Sequence, residues 1–221
     1  MSAPAPSIFS DAAKLTASRL GLSLGRPNLE VFAETVLKLA EENRNVIAVT
    51  SDSRGSGKLG PYGQALPEQI VEVGIAEQNL VGIAAGLAST GKTVFAVSPA
   101  CYLTARSLEQ VKNDIAYSDN PVTLVGISAG VSYGALGSTH HSLHDFAALR
   151  AINNVTIVAP ADNFEAREAV KAAALLPSPV DLRFGKAPLY DLGTTTAFAF
   201  DSARLIRAGN DAAFIATGET V

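Results

Sequence analysis

The chain has 221 residues, 48% of them hydrophobic and only 17% charged, with a formal net charge of −4 and a pI near 5.4. That composition supplies the core of one large domain, or of one domain plus the start of another, and its acidic balance argues against a nucleic-acid-binding face, which needs to be basic. The single cysteine, Cys101, excludes an internal disulfide and fits a reducing cytoplasm, and no apolar run reaches the length of a membrane span.

Residues 1–26 are rich in Ala, Ser and Pro and read as an arm with a short helix from Ser10 to Leu20. Their opening, M-S-A-P-A-P-S-I-F-S, lacks the basic-then-apolar order of a signal peptide. After Pro27, Asn28 is a favourable helix N-cap, and Leu29, Phe32, Val36 and Leu39 mark one face of a helix ending near Asn43 to Asn45. Val46–Thr50 is a continuous apolar strand of the parallel-sheet kind. It ends in Ser51-Asp52-Ser53, where α/β sheets present their sites. Gly55, Gly57 and Gly60 then match G-x-G-x-x-G formally. A dinucleotide motif needs a helix to open inside it, and Pro61, Gly63 and Pro67 disfavour one, so 54–63 is expected to be a mobile or partner-ordered loop.

Ile70–Val73 reads as a brief strand, Gly74 ends it, and a helix starts at Glu77. Leu80, Ile83, Ala84 and Leu87 recur at the spacing of one buried helical face, and Gly82 and Gly86 leave room for another backbone to approach. Glu77 is thus a carboxylate at the mouth of an apolar helix, placed either to suit the helix dipole or to do chemistry. Beyond it, Thr93–Val97 is a strand, Ser98-Pro99-Ala100 a turn, Tyr102–Tyr117 a helix and Val122–Ile127 a strand. A glycine-rich loop, Ser128–Asp145, leads to a helix over Asp145–Ile152. A strand at Thr156–Ala159, a turn capped by Asp162 or Asn163, a helix over Phe164–Leu175 and a strand at Val180–Phe184 follow. This alternation with short turns predicts an α/β fold, a parallel sheet with helices on both faces, over 27–188. Leu189–Thr196 reads as a linker, and Ala203–Arg207 and Ala212–Thr217 as the first strands of a further domain within 189–221.

The three histidines, His140, His141 and His144, all fall in the glycine-rich loop after a strand. A metal site, plain loop surface, and acid/base or substrate hydrogen bonding all remain open, the last being favoured. Cys101 is the one thiolate available and no H-E-x-x-H spacing occurs, which weakens the metal reading. No G-x-S-x-G nucleophile elbow precedes a helix.

The stretch V-E-V-G-I-A-E-Q-N-L-V-G-I-A-A-G-L-A resembles the signature of the pyrimidine-binding domain of thiamine-diphosphate enzymes of the transketolase family. Further stretches resemble that family in the same order: S-P-A-C-Y-L-T-A-R-S-L-E-Q-V-K-N-D, G-S-T-H-H, V-A-P-A-D-N-F-E-A, R-F-G-K-A-P and D-A-A-F-I-A-T-G-E-T-V. The resemblance covers Asn28 to Val221. It implies that Glu77 hydrogen-bonds the cofactor's pyrimidine ring and that Tyr102 stacks on it. It also places His140, and beside it His144, at substrate oxygens and Asp52 near the cofactor's edge. Arg183 or Lys186 would meet an anionic end of the sugar, the alternative for both being a solvated strand end. Two departures point to an atypical sugar: Gly134-Ala135-Leu136-Gly137 stands where the family carries an Asp, and Ser128 where it carries a histidine.

The family's diphosphate- and metal-binding half, marked by G-D-G, does not occur in this sequence. The resemblance therefore implies one subunit of a split transketolase that transfers a two-carbon ketol unit between sugars, sugar phosphates foremost. A diphosphate-binding partner chain would hold Mg²⁺ or Ca²⁺, in a heterotetramer of two chains of each kind. Rival readings are a 1-deoxyxylulose-5-phosphate synthase-like or 2-oxo-acid dehydrogenase beta-like subunit, and a non-catalytic scaffold. The joint presence of Glu77, Tyr102 and His140 weighs against the scaffold.

Overall fold

The computed structural model describes residues 8–193 and 197–221. Residues 1–7 of the expected arm and 194–196 of the expected linker lie outside the described residues. In chain order the elements are α1 (Asp11–Arg19), β1 (Leu24–Pro27), α2 (Asn28–Glu42), β2 (Val46–Thr50), α3 (Gly60–Ala65), β3 (Ile70–Glu72), α4 (Glu77–Ser89) and β4 (Thr93–Pro99). They continue with α5 (Ala100–Ala105), α6 (Leu108–Gln110), β5 (Val122–Ile127), α7 (Asp145–Arg150), β6 (Thr156–Val158), α8 (Asn163–Ala173), β7 (Val180–Phe184) and β8 (Pro188–Tyr190).

Six strands form one sheet in the order β3-β2-β4-β5-β7-β6, with every neighbouring pair parallel. Parallel neighbours need crossover connections, and the helices supply them. Alternate residues of each strand enter two separate cores. Val46, Ala48, Phe95, Val97, Val125, Ile127, Leu182 and Phe184 pack on one face with α2 and α8. Ile47, Val49, Val94, Ala96, Val122 and Leu124 pack on the other with α4, Leu103 and Leu149. Burial on both faces is why these strands read as unbroken apolar runs. Phe32 of α2 anchors the first core, its ring centroid 5.5 Å from that of Phe184 and 6.2 Å from that of Phe95.

Several local expectations are corrected. Asn28 is not a cap: Pro27 takes that position, while the Asn28 amide donates to the Pro160 carbonyl (3.0 Å) and its side-chain oxygen accepts from Asn163 (2.7 Å). A helix does open at Gly60, with Pro61 in its first turn, where a missing N–H costs no intrahelical bond. Tyr62 is buried there and its hydroxyl donates to the Val46 carbonyl at 3.1 Å, so this stretch is anchored to the sheet by the chain itself. The buried face of α4 is Leu80, Val81, Ala84, Ala85 and Ala88, rotated from the expected stripe, with Ile83 and Leu87 only partly covered. Among the described residues, no backbone from outside α4 comes within 4 Å of where a side chain on Gly82 or Gly86 would begin.

Ser98 and Pro99 extend β4 instead of forming a turn. The single helix expected over 102–117 divides. α5 stops at Ala105, the Ser107 hydroxyl donates back to the Leu103 carbonyl at 2.6 Å, and Val111–Tyr117 winds as a π-helix after α6. The end of the arm and part of the linker pair as a two-stranded antiparallel ribbon, β1 with β8. Ala203–Arg207 and Ala212–Thr217 form no strand among the described residues. Neither stretch pairs with a strand among the described residues, and a strand without a neighbour is not stable in water. Phe214 and Ile215 are accordingly 96% and 99% exposed.

Candidate functional site

The C-terminal ends of β2, β4, β5 and β7 lie along one edge of the sheet, where α/β proteins present their sites. Beside that edge β3 ends and α4 begins. Glu72 knits the two loops, its carboxylate accepting from the N–H of Asp52 (2.7 Å) and of Gly74 (3.1 Å).

Glu77, the first residue of α4, is only 4% exposed. A carboxylate so buried requires a partner, and Arg106 provides it: Nη1 donates to Oε1 at 3.0 Å and to Oε2 at 3.1 Å. Arg106 follows Tyr102 by one helical turn, which puts both on one side of α5. Its guanidinium carbon lies 3.8 Å from the centroid of the Tyr102 ring. Tyr102 then meets His140 edge-on at 5.5 Å, and His140 meets Tyr133 edge-on at 5.1 Å. Lys186 Nζ caps the Tyr133 ring at 3.7 Å. Burial lowers the pKa of the Lys186 ammonium, and the charge of Lys58 lowers it further. Burial raises the phenols of Tyr102 and Tyr133. One ladder of touching groups thus runs from Glu77 through Arg106, Tyr102, His140 and Tyr133 to Lys186.

The glycine-rich loop holds His140 in this ladder. An antiparallel bridge between Gly130 and Ser142 closes the loop, and the His140 N–H donates to the Gly137 carbonyl at 3.0 Å. Thr139 Oγ1 lies 3.0 Å from His140 Nδ1, which leaves Nε2 as the ring nitrogen available to a ligand.

The other expected residues lie around the ladder. His144 is exposed, with Nε2 3.5 Å from Thr104 Oγ1 on α5. Arg183 is already paired: Nε donates to Asp145 at 2.6 Å and Nη2 to the Ser142 carbonyl at 3.2 Å, so it clasps the base of the loop. Asp52 is exposed at φ 49°, and no hydrogen bond or ion pair joins its carboxylate to the ladder. The fold thus joins Glu77, Tyr102, His140 and Lys186, sets Arg183 and His144 beside them, and leaves Asp52 apart.

Sequence reasoning missed Arg106, Tyr133, Asp145 and Asp181. Arg106 was signalled by its helical spacing from Tyr102. Asp181 was signalled by V-D-L-R-F, which places its carboxyl on the face of β7 that Arg183 also uses, opposite Val180, Leu182 and Phe184. Burial and the neighbouring Asp145 push Asp181 up to about 7, against the pull of Arg183. At Glu77, a buried carboxyl beside an aromatic face suits a flat, nitrogen-bearing ring, and the guanidinium between them demonstrates that a planar nitrogen group fits. Among the described residues no group of three His, Cys, Asp or Glu could hold a metal ion, and no helix is long and apolar enough to cross a membrane.

The chain is thus a parallel α/β domain with a buried helix-start carboxylate and an aromatic ladder at the C-terminal edge of its sheet. Residues 27–190 match the family described as transketolase, pyrimidine binding domain, and the chain belongs to that family. It is 50% identical over 192 residues to an apulose-4-phosphate transketolase subunit of Phocaeicola vulgatus, covering 86% of this chain and 62% of that protein. It is 33% identical over 198 residues to the 1-deoxy-D-xylulose-5-phosphate synthase of Desulfotalea psychrophila, covering 86% of this chain and 30% of that one. Among solved structures it resembles a split gene transketolase, described as an inactive beta4 tetramer, with a TM-score of 0.66 and 31% identity over 82% of this chain and 56% of the other. The chain therefore spans no more than 62% of the length of these relatives.

Proposed function

We propose that this chain is the pyrimidine-binding subunit of a thiamine-diphosphate-dependent transketolase, active in the cytoplasm together with a diphosphate-binding chain that holds the Mg²⁺ or Ca²⁺. The observation that carries this reading is the buried carboxylate of Glu77, set one guanidinium away from the face of Tyr102. Glu77 would share a proton with a ring nitrogen of the cofactor, and Tyr102 would support the ring's face. When bound, the cofactor supplies an electron sink for the pair released as a carbon–carbon bond of a ketose breaks. His140, with Nδ1 engaged by Thr139, would offer Nε2 to a substrate hydroxyl. Lys186 would meet an anionic end of the sugar, and Arg183, held by Asp145, would fix the loop and lend its remaining N–H donors.

The name of the Phocaeicola relative includes a sugar phosphate and describes one chain of a larger enzyme, which supports a phosphorylated sugar and a partner chain. An assembly of two chains of each kind fits a family member that supplies half of each site. Residues 27–188 would form this domain, with 1–26 as an arm and 189–221 leading into a further domain. The test is to combine the chain with its diphosphate-binding partner, thiamine diphosphate and Mg²⁺, and to assay a panel of ketose and 2-oxo-acid donors with aldose acceptors. Ketol transfer by the mixture, lowered about 10²–10⁴-fold by Glu77→Ala, is the expected result. Transfer by the chain alone, or full activity of Glu77→Ala, overturns the proposal. Turnover of a 2-oxo acid alone would favour the synthase- or dehydrogenase-like reading.

A further inference from the structure

We propose that Arg106 is a built-in placeholder for the cofactor's aminopyrimidine ring, filling that ring's seat until the cofactor displaces it; this rests on the function proposed above. A guanidinium is flat, donates N–H groups in its own plane and stacks its face on aromatic rings. An aminopyrimidine offers the same combination, a nitrogen-bearing edge for a carboxylate and a flat face for an aromatic ring. Arg106 makes both contacts at once, bonding the two oxygens of Glu77 at 3.0 and 3.1 Å while lying 3.8 Å from the centroid of Tyr102. A ring bound to Glu77 and Tyr102 in this seat cannot coexist with the guanidinium there.

Arg106 is also placed to leave. Its side chain is 47% exposed, whereas that of Glu77 is 5% exposed, so the arginine enters the seat from the solvent side. It stands at the C-cap of α5, just before the break at Ser107, and its side chain has no other hydrogen-bond acceptor among the described residues. The cofactor-free chain gains a partner for a carboxylate that would otherwise be buried alone, a costly state. Loading then becomes an exchange of one flat partner for another.

Exchange has a signature that neither a purely structural ion pair nor a cofactor-holding arginine shares: removing Arg106 strengthens cofactor binding while weakening the empty chain. The experiment uses the assembled heteromer with Mg²⁺, titrated with thiamine diphosphate by calorimetry, for wild type, Arg106→Leu and Arg106→Gln. Thermal melts of the cofactor-free chain are run alongside. The expected result is a Kd about tenfold lower in both variants, with a melting temperature about 3–6 °C lower in the empty chain. If Arg106→Leu does not assemble, Arg106→Gln, which keeps the length and planarity but loses the charge, gives the same readout. Unchanged or weaker binding in the variants overturns the placeholder while leaving the proposed function standing. A wild-type heteromer that takes up no thiamine diphosphate overturns both.

Discussion

Asp181 shows how one buried group ties stability to pH. It lies on the face of β7 toward α7, where Asp145 and Arg183 are the charged groups that act on it. Burial leads and the charge of Asp145 adds, raising its pKa to about 7, well above the roughly 3.9 of an unfolded Asp. Between those values the folded state binds the proton more tightly than the unfolded state does. Stability therefore falls as pH rises through that window, and the penalty is complete above about 7. Urea midpoints measured from pH 5 to pH 8 are expected to drop more steeply for the wild type than for Asp181→Asn, whose neutral amide has no proton to lose. Parallel pH curves for the two proteins would remove Asp181 from the explanation. The signal lay in the strand itself, since alternation put an acid on a buried face. Glu77, Tyr102 and His140 were legible for a different reason: each sits inside a contiguous motif. The contact of Lys186 with Tyr133 joins two loops through folding alone, and no local pattern encodes it.

At the scale of elements, the strands of the main sheet were legible because burial on both faces writes an apolar run into the sequence. The pairing of β1 with β8 was not, because its partners come from opposite ends of the domain and each is short and mixed in polarity. Asn163 holds that ribbon to α8. Its side-chain oxygen accepts from the Arg26 N–H at 2.8 Å, and its amide donates to the Arg26 carbonyl (2.8 Å) and to Asn28 (2.7 Å). The backbone passes so close that a Cβ on Gly25 would lie 2.5 Å from the Asn163 oxygen. Asn163→Ala is expected to cost about 1–3 kcal/mol in urea unfolding and to speed proteolysis within residues 8–27. Unchanged stability and cleavage would show that the tilted ring contact of Phe9 with Tyr190, with centroids 4.9 Å apart, suffices to hold the ribbon. The division of the helix after Tyr102 was hidden for a related reason. Helical periodicity runs through it, and the Ser107 back-bond that interrupts it is a matter of rotamer, not of composition.

Across the whole molecule, apolar surface is distributed unevenly. The two cores bury most of the central strands, whereas large apolar side chains stand out over 205–215 and, more to the point, on the loops that carry the site. Ile75, two residues before Glu77, is 75% exposed, and Leu143, in the loop of His140, is 73% exposed. Val131 and Leu136 in the same loop are exposed as well. Apolar side chains clustered on loops around a site are what a covering chain would need there, and the proposed diphosphate-binding partner would be that chain. Hydrogen exchange can test this as a map. In the chain alone, amides of β4 and β5 are expected to exchange slowest, because they are paired on both sides within the sheet. Amides over 203–216, which donate to no backbone carbonyl among the described residues, are expected to exchange fastest. Adding the diphosphate-binding partner should slow exchange over 74–76 and 128–145 by about tenfold or more, the protection that covering a loop confers, while the central strands change little. Formation of the complex with no slowing in those two loops would place the interface elsewhere and detach the exposed rim from the cofactor site.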